Sequence, residues 1–262
     1  MTLDPQVTRF FGGIAAAVDP ITRFRMTVGE PDPWQEQVLR SDPRKSETDR
    51  MLLCLVGRQS GKSTTCGCLA YDAYTRGQEV ILTAPSMRQS ITLFRRIIAF
   101  MHTDPAPPPI MRQTMTELEA HPRHGGRITV LPANENARGE TADLIIGDEA
   151  CFIQPDEALT AFFPMRRSTG RIFLLSTPNG TRNGYFYETW ESDANVRRIK
   201  ARSMDTTRED RLAQIEFDRR TMSDATFRRE HLCEWVGAGE SLLSWNTLER
   251  AMQNEEKALC LT

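Results

Sequence analysis

The sequence predicts an α/β fold, a doubly wound and mostly parallel sheet, from three observations. Residues 51–56 (MLLCLV), 142–148 (ADLIIGD) and 171–176 (RIFLLS) are apolar runs of strand length. Such runs mark strands covered on both faces, the usual state in a parallel sheet. Stretches of helical periodicity lie between strands, as in βαβ units. Residues 51–64 read as strand, glycine-bearing loop and helix start in direct succession. At 262 residues the chain can bury a sizeable core, and one large domain fits better than two small ones.

Bulk properties exclude several classes. No run of about 18 apolar residues exists to span a membrane. The opening residues MTLDPQVTRFFGG carry an early Asp and no long apolar run, unlike a signal or transit sequence. Both points favour a cytoplasmic protein. Cys54, Cys66, Cys68, Cys151, Cys233 and Cys260 are scattered, several within apolar runs, as reduced cysteines used as small hydrophobes are. Cys66 and Cys68 have no second pair at zinc spacing. With 33 Lys+Arg against 35 Asp+Glu the net charge is −2, so contact with nucleic acid would come from local patches.

In chain order, residues 1–30 hold an apolar patch between Phe10 and Val18, then ITRFRMTVGE, which predicts one short helix and a connector. In EPDPWQEQVLR, Pro31 and Pro33 stiffen the approach, and Trp34, Val38 and Leu39 share a helical face. Gln35 and Gln37 lie beside that face. A glutamine amide offers a donor and an acceptor together, as an adenine edge does, so either is a candidate base reader; the plain reading is a surface glutamine. Residues 41–50 are polar and turn-rich and predict an exposed loop.

Next comes GRQSGKST. Gly57 and Gly61 let the backbone turn so that the amides of Arg58, Gln59, Ser60 and Thr64 can wrap a phosphate chain at a helix N-terminus. Lys62 would reach the terminal phosphates and Ser63 a magnesium ion. The pattern G-x-x-x-x-G-K-[ST] wants its first glycine where Val56 stands, and Arg58 inside the loop is a second departure. A chance Gly-Lys-Ser is the plain alternative, but the strand before and helix after supply the context the motif requires.

Residues 64–75 predict a helix closed by Gly77, and residues 79–83 a strand broken at Ala84, Pro85 and Ser86. From Ser86, residues Ile91, Phe94, Ile97, Ile98 and Met101 recur near helical spacing, with Arg95 and Arg96 on the flank. DPAPPP at 104–109 excludes regular structure. The alternating stretches on either side of HPRHGG predict a hairpin closed at Gly125 and Gly126. His121 and His124 there read as exposed turn residues. The strand at 142–148 delivers Asp148 and Glu149 at its carboxyl end, where ligands of parallel sheets gather. There an Asp can hold magnesium and a Glu can polarise water. The strand at 171–176 ends in Ser176, Thr177 and Pro178, whose hydroxyls could sense a terminal phosphate. Beyond Gly184 the pattern predicts a helix, a strand and a charged helix at 209–220.

PWQ, GRQSGKST, TAPSMRQS, NARGETADLIIGDEA and LLSTPNGTRNGYFYE, in this order and spacing, resemble the ATPase domain of tailed-bacteriophage large terminase subunits, roughly over residues 33–234. The resemblance implies a P-loop NTPase with the catalytic glutamate, Glu149, directly after the Walker B aspartate, Asp148. It implies ATP and Mg2+ as cofactors, with Ser63 and Asp148 on the metal. It further implies a homo-oligomeric ring that drives double-stranded DNA into a procapsid with a portal protein and a small terminase subunit, away from membranes, in the cytoplasm of the infected host cell. Ser176, Thr177 and Pro178 match the family's coupling motif, Gln35 its adenine-contacting glutamine and Arg58 its phosphate-loop arginine. Arg138 matches an arginine that can act on a neighbour's nucleotide. Gly147 departs, standing where an apolar residue usually precedes the aspartate, as does Val56. A helicase-like DNA-remodelling ATPase would share the nucleotide site; a non-catalytic nucleotide-binding module would have no need of Glu149.

The expected organisation is a helical lead-in with the adenine contact at 1–50, a P-loop ATPase core at 51–240, and the start of a linker at 241–262. The family's full-length chains continue into a nuclease domain. The 27 residues after Trp235 cannot hold one, so the chain reads as an isolated ATPase domain from which no DNA cleavage is expected.

Overall fold

A computed structural model describes residues 19–134 and 139–236. The apolar patch ending at Val18, Arg138, Cys260 and the stretch 241–262 lie outside the described residues.

Asp19 caps the first helix, α1 (Pro20–Thr27), by accepting from the amides of Ile21 and Thr22. In α2 (Pro33–Leu39), Trp34, Val38 and Leu39 are buried as their shared face predicts. The chain then alternates through β1 (Met51–Val56), α3 (Lys62–Thr75), β2 (Glu79–Thr83) and α4 (Met87–Thr103). A meander of β3 (Ile110–Gln113), β4 (Glu117–Ala120) and β5 (Arg127–Val130) follows. Then come β6 (Ala142–Asp148), α5 (Asp156–Thr160), β7 (Arg166–Ser176), α6 (Tyr185–Glu191), β8 (Arg197–Ala201), α7 (Glu209–Thr221) and α8 (Asp224–Leu232).

The eight strands form one sheet in the order β3-β4-β5-β2-β6-β7-β1-β8. Every pairing from β5 to β8 is parallel, and only β4 runs against its neighbours. Alternate residues of the central strands enter opposite cores. Leu52, Cys54, Val56, Val80, Leu82, Leu144 and Ile146 face α1 to α4. Leu53, Leu55, Ile81, Ile145 and Leu174 face α5 and α6 through Leu159, Phe162 and Phe186. This two-sided burial is why those strands read as unbroken apolar runs. The five cysteines among the described residues are free and buried, used as core hydrophobes.

The structure departs from expectation at three places. Residues 111–120, expected as one hairpin arm, fold back on themselves: the Thr114 amide donates to the Glu117 carbonyl and makes two strands of the stretch. β7 begins five residues before the apolar run, because its polar first half borders the sheet's exposed end. The polar stretch 41–50 is not wholly exposed. It contains a 3-10 turn, Glu47–Arg50, and buries Asp49, which accepts from the Asp42 amide at 2.8 Å and from Arg197 at 3.0 Å.

Candidate functional site

β7 lies between β1 and β6, so three strand ends meet at one point. Leu55 pairs with Ser176 and Asp148 with Leu175. The phosphate loop, the acid pair and the Ser176–Thr177 step therefore converge at the carboxyl edge of the sheet, where ligands of open α/β sheets bind.

In the loop, Gln59 has a φ of 57° and Gly61 of 83°, which turns the backbone into α3. Gly57 is required for a different reason: a Cβ there would stand 2.6 Å from the Ser203 amide nitrogen. β1 keeps pairing past Val56, since the Gly57 amide donates to the Ala201 carbonyl at 2.9 Å. The residue at the strict motif's first glycine is thus still strand and fully buried. Lys62 is buried; its Nζ lies 3.3 Å from the Val56 carbonyl, 3.4 Å from that of Gly57 and 3.6 Å from Glu149 Oε1. These are long contacts, readily exchanged for a phosphate oxygen. Ser60 is buried within the loop, and Thr64 lies in the first turn of α3.

The Ser63 hydroxyl donates to Asp148 Oδ2 at 3.2 Å. Burial, and then the neighbouring Glu149 charge, push the Asp148 carboxyl up to about 6, against the pull of Lys62 and Ser63. Glu149 follows in a left-handed conformation, φ 50°, with its amide donating to Asp148 Oδ1 at 3.0 Å. Its Oε2 lies 3.4 Å from both the amide and the hydroxyl of Thr177, and 3.3 Å from the Ser176 hydroxyl. Ser176 has one proton, and the Thr177 carbonyl at 2.7 Å competes for it, so Thr177 is the steadier donor to Glu149. Ser63 and Asp148 fit a magnesium ion chemically, as a hydroxyl and a carboxylate converging beside a phosphate loop. Among the described residues no group of three or more His, Cys, Asp or Glu is placed to hold a metal ion.

Gln35 is buried, not a surface residue. Its Oε1 accepts from the Asp32 amide at 2.8 Å and its Nε2 donates to Thr65 Oγ1 at 3.0 Å, tying α2 to the first turn of α3. Gln37 is exposed. Arg58 points out of the loop toward α8, 3.6 Å from Glu230, whose carbonyl also accepts the Arg58 amide at 2.7 Å. Arg138 lies outside the described residues.

Two arginines that the charged-helix pattern did not single out stand at the loop. Arg211 donates to Gln59 Oε1 at 2.7 Å, and Arg208 donates to Asp32 Oδ2 at 3.1 Å. Nothing in their spacing separates them from solvated helix arginines, and only the packing of α7 against the loop identifies them.

The chain matches the family model described as terminase large subunit, T4likevirus-type, N-terminal, over residues 53–250. No curated protein matches. Among solved structures it is similar to the large terminase ATPase domain of Thermus phage P74-26, at 22% identity and a TM-score of 0.65, covering 81% of this chain and 97% of that one. It is also similar to the HK97 bacteriophage large terminase, at 14% identity and a TM-score of 0.64, covering 83% of this chain and 55% of that one. The large terminase of a thermophilic bacteriophage, in complex with ADP, is 15% identical with a TM-score of 0.59, covering 78% of this chain and 54% of that one. The match thus spans about half the length of the last two proteins. At these identities the likeness speaks for the fold.

Proposed function

Since the chain belongs to the terminase large-subunit family, we propose that it is the ATP-hydrolysing part of a motor that drives double-stranded DNA into a viral procapsid. The observation that carries the reading is the pairing of roles at one sheet edge: Asp148 held by Ser63, and Glu149 held by Thr177 and facing Lys62. A module that only held nucleotide would have no use for a second carboxylate braced in this way. Lys62 and the amides of residues 59–64 bind the phosphates, the Gly57 and Arg58 amides being taken by the Ala201 and Glu230 carbonyls. The family resemblance assigns the adenine contact to Gln35, whose amide would have to exchange its bond to Asp32 or Thr65 for the base. Ser63 and Asp148 would hold Mg2+, which when bound neutralises phosphate charge.

Glu149 Oε1 orients the attacking water and takes up its proton, while Thr177 fixes the carboxylate through Oε2. Because Thr177 directly follows β7, the strand between those that carry the loop and the acids, a change at the nucleotide would be transmitted to the Pro178–Gly180 turn. Arg58 or Arg138 stabilises the developing charge. The same reading implies a homo-oligomeric ring, a portal protein and a small terminase subunit as partners, and work in the cytoplasm of an infected host. Binding and turnover measured on two variants test it. Lys62→Ala should abolish ATP binding, whereas Glu149→Gln should keep binding and lose turnover. Equal loss of nucleotide affinity in both would sink the role assignment.

A further inference from the structure

We propose that the solvent face of α4 grips the phosphate backbone of double-stranded DNA; the choice of ligand rests on the function proposed above. The helix contains no acidic residue, and its charges are Arg88, Arg95 and Arg96, with His102 in the last turn. At 3.6 residues per turn these four, with Thr92 and Ala99, fall within an arc of about 120°, and all six are exposed. The opposite arc, Leu93, Phe94, Ile97 and Phe100, is buried in the core. The arginines are therefore not needed to fold the helix.

They are also unneutralised. Among the described residues the side chain of every arginine except these three and Arg123 has a hydrogen bond, an ion pair or an aromatic ring as partner. A chain of net charge −2 whose described arginines are nearly all paired elsewhere leaves three together on one face. Arg88 and Arg95 are about 10 Å apart along the axis at 1.5 Å per residue, a length over which one strand of a duplex lying parallel to the helix rises by about three phosphates. The face offers charge and almost no base-reading amide, so binding would be independent of sequence, as a translocating motor requires. α4 also starts from β2, whose last residue, Thr83, pairs with Gly147 next to Asp148, so the gripping helix springs from the strand beside the acids.

Binding of a 30-base-pair duplex across a salt series, beside basal ATP hydrolysis without DNA, tests the proposal. R88A/R95A/R96A should weaken binding more than tenfold at low salt and flatten the log–log salt slope by about 2.7, three released counterions at 0.9 each. Basal hydrolysis should be unchanged. R88K/R95K/R96K should keep most of the binding, since phosphates need the charge, and R123A should behave as the unsubstituted chain. Affinity and slope unchanged in the alanine variant would overturn the proposal, as would an equal loss in R123A. Loss of basal hydrolysis together with binding would overturn it too, by tying the face to the fold. An unsubstituted chain that hydrolyses ATP but binds no duplex removes both this grip and the DNA half of the proposed function. One that binds duplex without hydrolysing ATP removes only the ATPase reading.

Discussion

Gly57, just past the end of β1, and Gly147, near the end of β6, differ in what a methyl group would meet. At Gly57 a Cβ would run into the Ser203 backbone, which cannot swing aside; at Gly147 it would meet Leu174 Cδ2 at 2.9 Å, the end of a side chain with other rotamers. Gly57→Ala should therefore cost about 1–3 kcal/mol by overpacking and weaken nucleotide binding, whereas Gly147→Ala should cost clearly less. Denaturant melts of the two variants compare them directly. The packing also explains the departure at Gly147, since Leu174 on β7 occupies the volume that an apolar side chain there would use. Asp148 gives a prediction in pH. Its folded pKa is raised, so the folded protein binds the proton more tightly than the unfolded chain does, and nucleotide-free stability falls as pH rises from about 4 to about 6. Above that window the full penalty of a buried charge remains, at most about 3 kcal/mol at 1.36 per unit. Asp148→Asn should therefore raise the melting temperature at pH 7.5 while abolishing turnover. The gain should shrink toward pH 4, and a gain independent of pH would count against the explanation.

Among the elements, α7 and α8 meet the phosphate loop by two hydrogen bonds, Arg211 to Gln59 Oε1 and the Arg58 amide to the Glu230 carbonyl. Gln59 is held in a left-handed conformation that a non-glycine residue adopts at a cost, and Arg211 supplies part of what holds it there. Arg211→Ala should lower nucleotide affinity by about tenfold, the worth of one charge-assisted hydrogen bond of 1.5–3 kcal/mol less solvent screening, with little change in melting temperature. Titration with ADP reads the first and a thermal melt the second. These links were invisible in the sequence, because a helix with Arg at its start looks the same whether it faces water or a loop. The strands were legible, since burial on both faces leaves a local apolar signature in 51–56 and 171–176. The β3–β4 turn was not, since its Thr114–Glu117 contact involves no Gly or Pro to mark it. In the site, the loop and the acid pair could be read from motif and context, but the bracing of Glu149 by Thr177 depends on β7 lying between β1 and β6, which sequence order hides.

At the scale of the whole molecule, the function proposed above assigns phosphate binding and the placing of water to groups within one chain, but leaves part of the charge that develops in transfer without a partner. Arg58 is directed at Glu230 and exposed, and in that position its charge is matched by that carboxylate. We therefore expect the missing cation to be Arg138 of a neighbouring subunit, which lies before β6 in a polar stretch beside Gly139. An arginine delivered to the γ-phosphate is worth about 10³ to 10⁵ in rate, so hydrolysis should be slow in dilute protein and should rise steeply with assembly. Mixing two inactive variants decides it. Glu149→Gln subunits still offer Arg138 to Arg138→Ala subunits, which keep Glu149, so each mixed interface of the right polarity is complete. Under conditions that form rings the mixture should recover part of the unsubstituted rate, with a maximum at intermediate mixing ratios. If Arg138 instead serves its own subunit, no interface in the mixture contains both groups correctly placed. Mixed rings verified to contain both variants would then be as inactive as either variant alone, and the trans role would be ruled out.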